Sequence, residues 1–428
     1  MKKTVVVVGV VVLAAAVSAP WVMGTVTEQQ WHQAMSDVNG AQRFVRLETG
    51  EYERGYLGGQ FDGTVVIDDP ASDQPMEFDY QARVSHGITG SLLEFSLADD
   101  VPEEVSGLFT NDKPRLTLET RFWGTAVAEL TMPTVSVVDE ESGGTLQSSG
   151  GYARADISDG GADVDLTVVW PGMVMTTPEM NLSLQDVRLE QGFHHLRGDV
   201  WTGEGEVELK ALELAFPGQE SLNLDGFNLA SKTWTTDGDN TLHAETTATL
   251  DSLTAGAETF GPHRLQFVME DLDVDSWNTL TAALSELQVA AMDQGGSPGA
   301  FNAQMASMQQ MNGAMMDLAA EGFGIGFPEI SLMTPDGEVR GQVMIGHPAL
   351  SDEERAKMLM VMQRLTGEMD VSLPVALAED HPALMMQIAP LIKQGMMTEE
   401  GDRFRLSAEL KDLALDVNGV ILPLPPLL

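Results

Sequence analysis

The feature that most narrows the folds open to this chain is a two-residue alternation of apolar and polar side chains. Arg115-Leu116-Thr117-Leu118-Glu119-Thr120 alternates without a break, as does Asp163-Val164-Asp165-Leu166-Thr167-Val168. Phe61–Ile67, Asn181–Leu184 with Val187 and Leu189, and Glu206–Lys210 repeat the pattern more loosely. Successive side chains of an extended backbone leave opposite faces, so each segment has one apolar and one polar face. Antiparallel sheets covered on one side read this way. Gly/Asp/Asn/Pro clusters at Glu141–Gly151, Asp159–Gly161 and Asp237–Asn240 punctuate the strands. Short strands at such spacing predict a long antiparallel sheet or sandwich. The strands share an apolar-x-apolar-x-x-apolar cadence, but it has no fixed period, so no repeat array is assigned.

The pattern changes near Asp275. Trp277, Leu280, Leu284 and Leu287 recur at helical spacing behind Asp275 or Ser276 as N-cap, and Gly295–Gly299 ends that helix. A second helix over about Phe301–Ala320 carries Met305, Met308, Met311, Met315 and Leu318 on one stripe. Pro328–Ile345 predicts a hairpin turning at Asp336-Gly337. Ser351–Glu354 is a capping box before a helix with Met358 and Met362, and a further helix covers about Pro382–Met397. A last hairpin turns at Asn418-Gly419. The expected class is α+β, predominantly antiparallel β. Its parts are a transmembrane helix over 1–27, a β-rich region over 28–275, and an α+β region over 276–428 with Met-rich amphipathic helices.

Met1-Lys2-Lys3 opens the chain, and no charge follows from Thr4 to Thr27. The apolar run Val5–Met23 spans about 30 Å as a helix, the thickness of a bilayer's hydrocarbon core. Lys2 and Lys3 stay on the cytoplasmic side by the positive-inside rule, Trp21 falls where an interfacial aromatic sits, and the body is carried across. Val17-Ser18-Ala19 resembles a signal-peptidase site, but Pro20 follows it and the run is long for a signal sequence, so an uncleaved anchor is expected. Either alternative exports the body.

The 428 residues carry 65 acidic against 23 basic side chains, a net charge of −42. Such a body is repelled by nucleic acid and by anionic head groups. The charge is spread along the whole chain, which favours adaptation to salt over a dedicated acidic surface for a basic partner. The absence of cysteine removes disulfides, thiolate nucleophiles and Cys-based metal sites.

A set of short motifs runs through the chain: Tyr52-Glu53-Arg54-Gly55-Tyr56-Leu57, His86-Gly87, Phe260-Gly261, Leu272-Asp273 before the Trp277 helix, Thr334–Val339, Gly401-Asp402-Arg403-Phe404, Leu410-Lys411-Asp412 and Asn418-Gly419. With the Met-Lys-Lys anchor, the chain resembles the YdgA-like family of proteobacterial envelope proteins, whose function is unassigned. The resemblance implies a single-pass inner-membrane anchor and a periplasmic body, and it supplies no catalytic residues. Gly58-Gly59 stand where that family would carry serines, and no proline follows His86-Gly87.

Catalytic patterns are faint. Asp139–Gly144 lacks the glycine-aspartate that precedes a protease serine. Gly322–Gly326 is glycine-rich, but a strand rather than a helix N-terminus follows, so no phosphate is cradled. Asp271, Asp273 and Asp275 read as a calcium loop would need glycine at Ser276 and glutamate at Ala282. His194 and His195 point to opposite faces of a strand, and His86 reads as a turn residue. No catalytic residue, metal or cofactor is assigned. The methionines remain: they pack on the sheet, bind Cu(I), or, with Met358 and Met362, line a groove for acyl chains. The leading expectation is a non-enzymatic scaffold for envelope proteins. The runner-up is a carrier of lipid or another hydrophobic ligand on an apolar sheet face, and the third an envelope hydrolase. A sheet fully covered by the Met-bearing helices favours the scaffold, and a continuous open apolar face favours the carrier.

Overall fold

The computed structural model describes residues 45–424, apart from 51, 56, 68–75, 99–108, 110–111, 139–142, 293–297 and 356–363. The expected membrane anchor, with Lys2, Lys3 and Trp21, lies outside the described residues, as do Met358 and Met362. Two compact units divide the chain, Met1–Gly192 and Phe193–Leu428.

In the first unit, β1 (Val45–Thr49), β2 (Glu53–Arg54), β3 (Gly58–Ile67), β4 (Met76–His86), β5 (Gly90–Leu97), β6 (Arg115–Arg121) and β7 (Ala126–Met132) are followed by β8 (Val135–Val138), β9 (Thr145–Ser148), β10 (Gly151–Ser158) and β11 (Asp163–Thr176). Strands β3 to β7 pair in chain order, β10 pairs with β7 and β11, and all pairs are antiparallel. The core alternates along β4: Tyr80, Ala82 and Val84 are buried while Gln81 and Arg83 are exposed. Phe61, Leu93 and Phe95 join them, with Phe61 and Phe95 edge to face at 6.0 Å.

Strand β12 (Asn181–Arg197) leads into the second unit: β13 (Val200–Ala215), β14 (Leu222–Thr236), β15 (Thr241–Ala255), β16 (Glu258–Phe260), β17 (His263–Asp273), α1 (Val274–Met292), α2 (Pro298–Glu321), β18 (Phe323–Thr334) and β19 (Gly337–His347). Then come α3 (Asp352–Arg355), β20 (Thr366–Pro374), α4 (Val375–Asp380), α5 (Pro382–Lys393), β21 (Thr398–Glu400), β22 (Arg403–Lys411), β23 (Ala414–Val417) and β24 (Val420–Pro423).

The α+β expectation is corrected. Most of the described residues lie in one large antiparallel sheet and helix is the minor part, and among the described residues no helix is long and apolar enough to cross a membrane. The physical reason lies at β17. After α1 and α2 the chain returns to it, and β18 pairs antiparallel with β17 from His263↔Leu332 to Glu270↔Gly324. The sheet then continues through β19, β20 and β22. The helices are excursions between hydrogen-bonded neighbours, not a second layer of an α+β region.

The irregular cadence has a backbone cause. In Leu224-Asp225-Gly226-Phe227, Gly226 has φ +64 and drops out of the pairing together with Lys210 and Asp251 on the neighbouring strands, and in Met269-Glu270-Asp271-Leu272 the extra residue, Asp271, has φ +59. The register of β15 on β17 shifts there, between Leu242 and Ala244. Phe327-Pro328-Glu329-Ile330 holds another shift, and a proline is tolerated in a strand at such a bulge. Each extra residue restores the apolar side chains to one face.

Turns follow their residues. Asn418 and Gly419 both take positive φ between paired Val417 and Val420, and Gly419 N–H donates to Asp416 Oδ1 at 2.7 Å. Ser351 N–H donates to Glu354 Oε2 at 3.0 Å, closing the capping box at α3.

Candidate functional site

Cross-strand register turns the alternation into two continuous faces. In the second unit one row runs across eight strands: Val207, Leu229, Ala248, Leu265, Ile330, Gly341, Val371 and Leu406. One residue along each strand, a row on the opposite face runs Glu208, Asn228, Thr249, Arg264, Ser331, Arg340, Ser372 and Arg405. The first row has no polar side chain and the second has no apolar one. On the polar face Arg264 pairs with Glu329 at 2.8 Å and Arg405 with Asp370 at 2.7 Å. Arg340, with the Ser331 hydroxyl, holds Glu338 below the usual carboxylate range.

The first unit is built alike. Phe61, Ala82, Phe95, Leu116, Leu130, Ala153 and Val168 share one face. Gln60, Arg83, Glu94, Thr117, Glu129, Arg154 and Thr167 share the other, where a cavity of about 710 Å³ lies over β3–β6. The apolar row is buried as far as Phe95, and Leu116 is then 37% exposed.

The second unit's apolar row differs, because none of its eight members is fully buried. Among the described residues, helices pack on the face at its two ends. At one, Trp277 and Leu280 of α1 and Leu318 of α2 pack with Leu242, Met269, Leu272 and Ile325. At the other, Ile388 of α5 packs with Leu373, Phe404, Val339 and Leu406. Between them Leu265, Leu332 and Ile345 remain 36, 40 and 46% exposed on the same face. His263, between Leu250 and Leu332, is the polar interruption beside the row. Burial pushes its imidazole below the ordinary value, and its Nδ1 is shielded without a hydrogen-bond partner.

The methionine stripe of α2 stands largely exposed. Met305, Met308 and Met315 are 50, 51 and 44% exposed, and Met311 is half-buried. The side of α2 turned inward is Ser307, Ala314 and Leu318, roughly a quarter-turn away at 100° per residue. The apolar rows themselves escape sequence reading: each strand shows its alternation, but which residues stand opposite is a matter of register.

The other sequence candidates take structural roles. Asp271 is the bulge residue, Asp273 Oδ1 accepts from Ser276 N–H at 2.8 Å and so caps α1, and Asp275 pairs with Arg197 at 3.1 Å. His195 Nε2 donates to Gly198 O. Gly322 ends α2 with its N–H on Leu318 O. His86 Nδ1 and Ser91 Oγ stand 2.8 Å apart, with Tyr52 OH 3.4 Å from His86 Nε2. His86 and Ser91 are 7 and 3% exposed, so this pair closes the end of the β4–β5 hairpin and meets no substrate path. Among the described residues no group of three or more His, Asp or Glu is placed to hold a metal.

No curated protein and no solved structure matches the chain. The profile of a family described as bacterial protein of unknown function (DUF945) matches residues 1–425, and the chain belongs to that family.

Proposed function

We propose that this chain is a non-enzymatic, membrane-tethered periplasmic carrier of acyl-chain-bearing lipid, with the second unit's open apolar face as its binding surface. The observation that carries the reading is the row from Val207 to Leu406, apolar across eight strands and nowhere fully buried. An open apolar band of this kind marks a contact surface. Seven inter-strand steps of about 4.8 Å make it ~34 Å long. A bilayer's hydrocarbon core of about 30 Å is spanned by two acyl chains, ~15 Å each, so the row has length for one chain and more. The row offers no charge or hydrogen bond to select a docked protein, and a hydrocarbon chain requires neither. The carboxylate-rich remainder, at −42, keeps a lipid-loaded body soluble.

The apolar run Val5–Met23 behind Lys2 and Lys3 supports the tether, and the likeness to YdgA-like envelope proteins supports the same compartment. The test is native mass spectrometry of the full chain extracted from its membrane, with Ile330→Asp in parallel. Lipid that co-purifies with the wild type and not with Ile330→Asp is the expected result. Lipid-free wild-type protein in repeated preparations overturns the reading, and in-cell crosslinks from this face to protein alone return the scaffold.

A further inference from the structure

Helix α2 has two unlike sides. Its inner side buries Ser307, Ala314 and Leu318, and Leu318 packs at the end of the open apolar face. Its outer side leaves Met305, Met308 and Met315 about half exposed, and Leu284 of the neighbouring α1 is 48% exposed. From Pro298 to Met316 the helix carries no charged side chain, in a chain where 21% of residues are charged.

We propose that the outer side of α2 seats on the surface of a zwitterionic phospholipid bilayer, so that one helix touches the membrane outside and the apolar face inside. The inference rests on the carrier reading and adds where the ligand is exchanged. Charge selects the occupant. Anionic head groups repel a body of −42, and a second copy would bring two such bodies together. No carboxylate stands on this stretch of α2 to hold a basic protein. An uncharged face of flexible thioethers suits the head-group boundary of a lipid surface without net charge.

The chain has no cysteine, so Met308→Cys accepts a single fluorophore. The full chain is placed in phosphatidylcholine nanodiscs containing acyl chains with a spin-label quencher, and Thr249→Cys on the polar face serves as control. Quenching at position 308 at least twofold above that at position 249 is expected, lost when Met305→Glu and Met315→Glu are added with the melting temperature unchanged. Equal quenching at the two positions overturns the inference. So does a signal at 308 that follows protein concentration and ignores the quencher, which identifies a second copy as the occupant. Lipid that still co-purifies while position 308 stays unquenched removes the inference and leaves the carrier reading standing. Lipid-free wild-type protein removes the carrier reading itself.

Discussion

Leu265→Glu tests the open face most directly. Leu265 lies in the middle of the eight-strand row, between Ala248 and Ile330, and is 36% exposed without ligand. Fully burying a leucine side chain is worth about 1.5–3 kcal/mol, so covering the remaining third yields ~0.5–1 kcal/mol. A glutamate there forfeits that gain and must bury an unpaired polar group under the ligand, at about 1–3 kcal/mol and more when ionised. The combined loss of ~1.5–4 kcal/mol is about a 12- to 700-fold weaker affinity. The side chain is partly solvated in the free protein, so the fold tolerates the change far better than binding does. Displacement of a fluorescent acyl-chain lipid from the full chain measures the affinity. Thr249→Glu, one residue along β15 from Ala248 on the polar face, is the matched control. The reasoning is refuted if Leu265→Glu binds within about threefold of wild type, or if Thr249→Glu loses as much.

Gly226→Ala places a side chain at φ +64, where its Cβ would collide with the Asp251 carboxylate. The left-handed backbone alone costs about 1–2 kcal/mol, and Asp251→Ala in the same chain should recover the part due to the collision; an unchanged urea midpoint for Gly226→Ala contradicts the left-handed conformation there. Burial holds the His263 imidazole below its ordinary value of 6.5 in the folded chain, so the unfolded state binds the proton first. Its contribution to stability is fully present above pH 6.5 and is lost as pH falls through the depressed folded value. His263→Leu should flatten that part of the pH–stability profile, and an unaltered slope contradicts the burial. The net charge of −42 predicts a melting temperature that rises from low to molar salt as self-repulsion is screened, and calorimetry showing none removes the salt-adaptation reading.

Strand positions were legible because alternation is a local signal. Leu116 and Leu118 announce their face within six residues, and Asn418-Gly419 announces its turn within two. The pairing of Leu265 with Ala248 and Ile330 is not local. It depends on how many residues each bulge inserts, and Asp271 and Pro328 look in sequence like ordinary polar and breaking residues. The cadence near Leu224 and Met269 did carry the bulges, but its lack of a fixed period hid their cause. Helix α2 was legible in extent and misread in rotation. Its methionines are the largest apolar side chains on it, yet the small Ser307 and Ala314 face inward with Leu318, because close helix packing selects for size as well as polarity.

The two helical covers complete the argument about what the open face is for. Leu272 and Val274 are wholly buried where α1 and α2 sit, and Leu373 and Phe404 are nearly so beside α5. The chain therefore covers this same face where it sends a helix across it. Between those covers it places Val207, Leu229, Ala248, Leu265 and Ile330 in register, and none of the described helices packs on them. Apolar side chains aligned across strands and left partly exposed add less to folding than fully buried ones. Beyond the row, bulges at Asp271 and at Pro328 keep Leu272 and Phe327 on the same face, and each disrupts a ladder. A fold stabilised only by its own contacts gains nothing from that arrangement. It becomes favourable when a separate hydrophobic molecule supplies the missing cover.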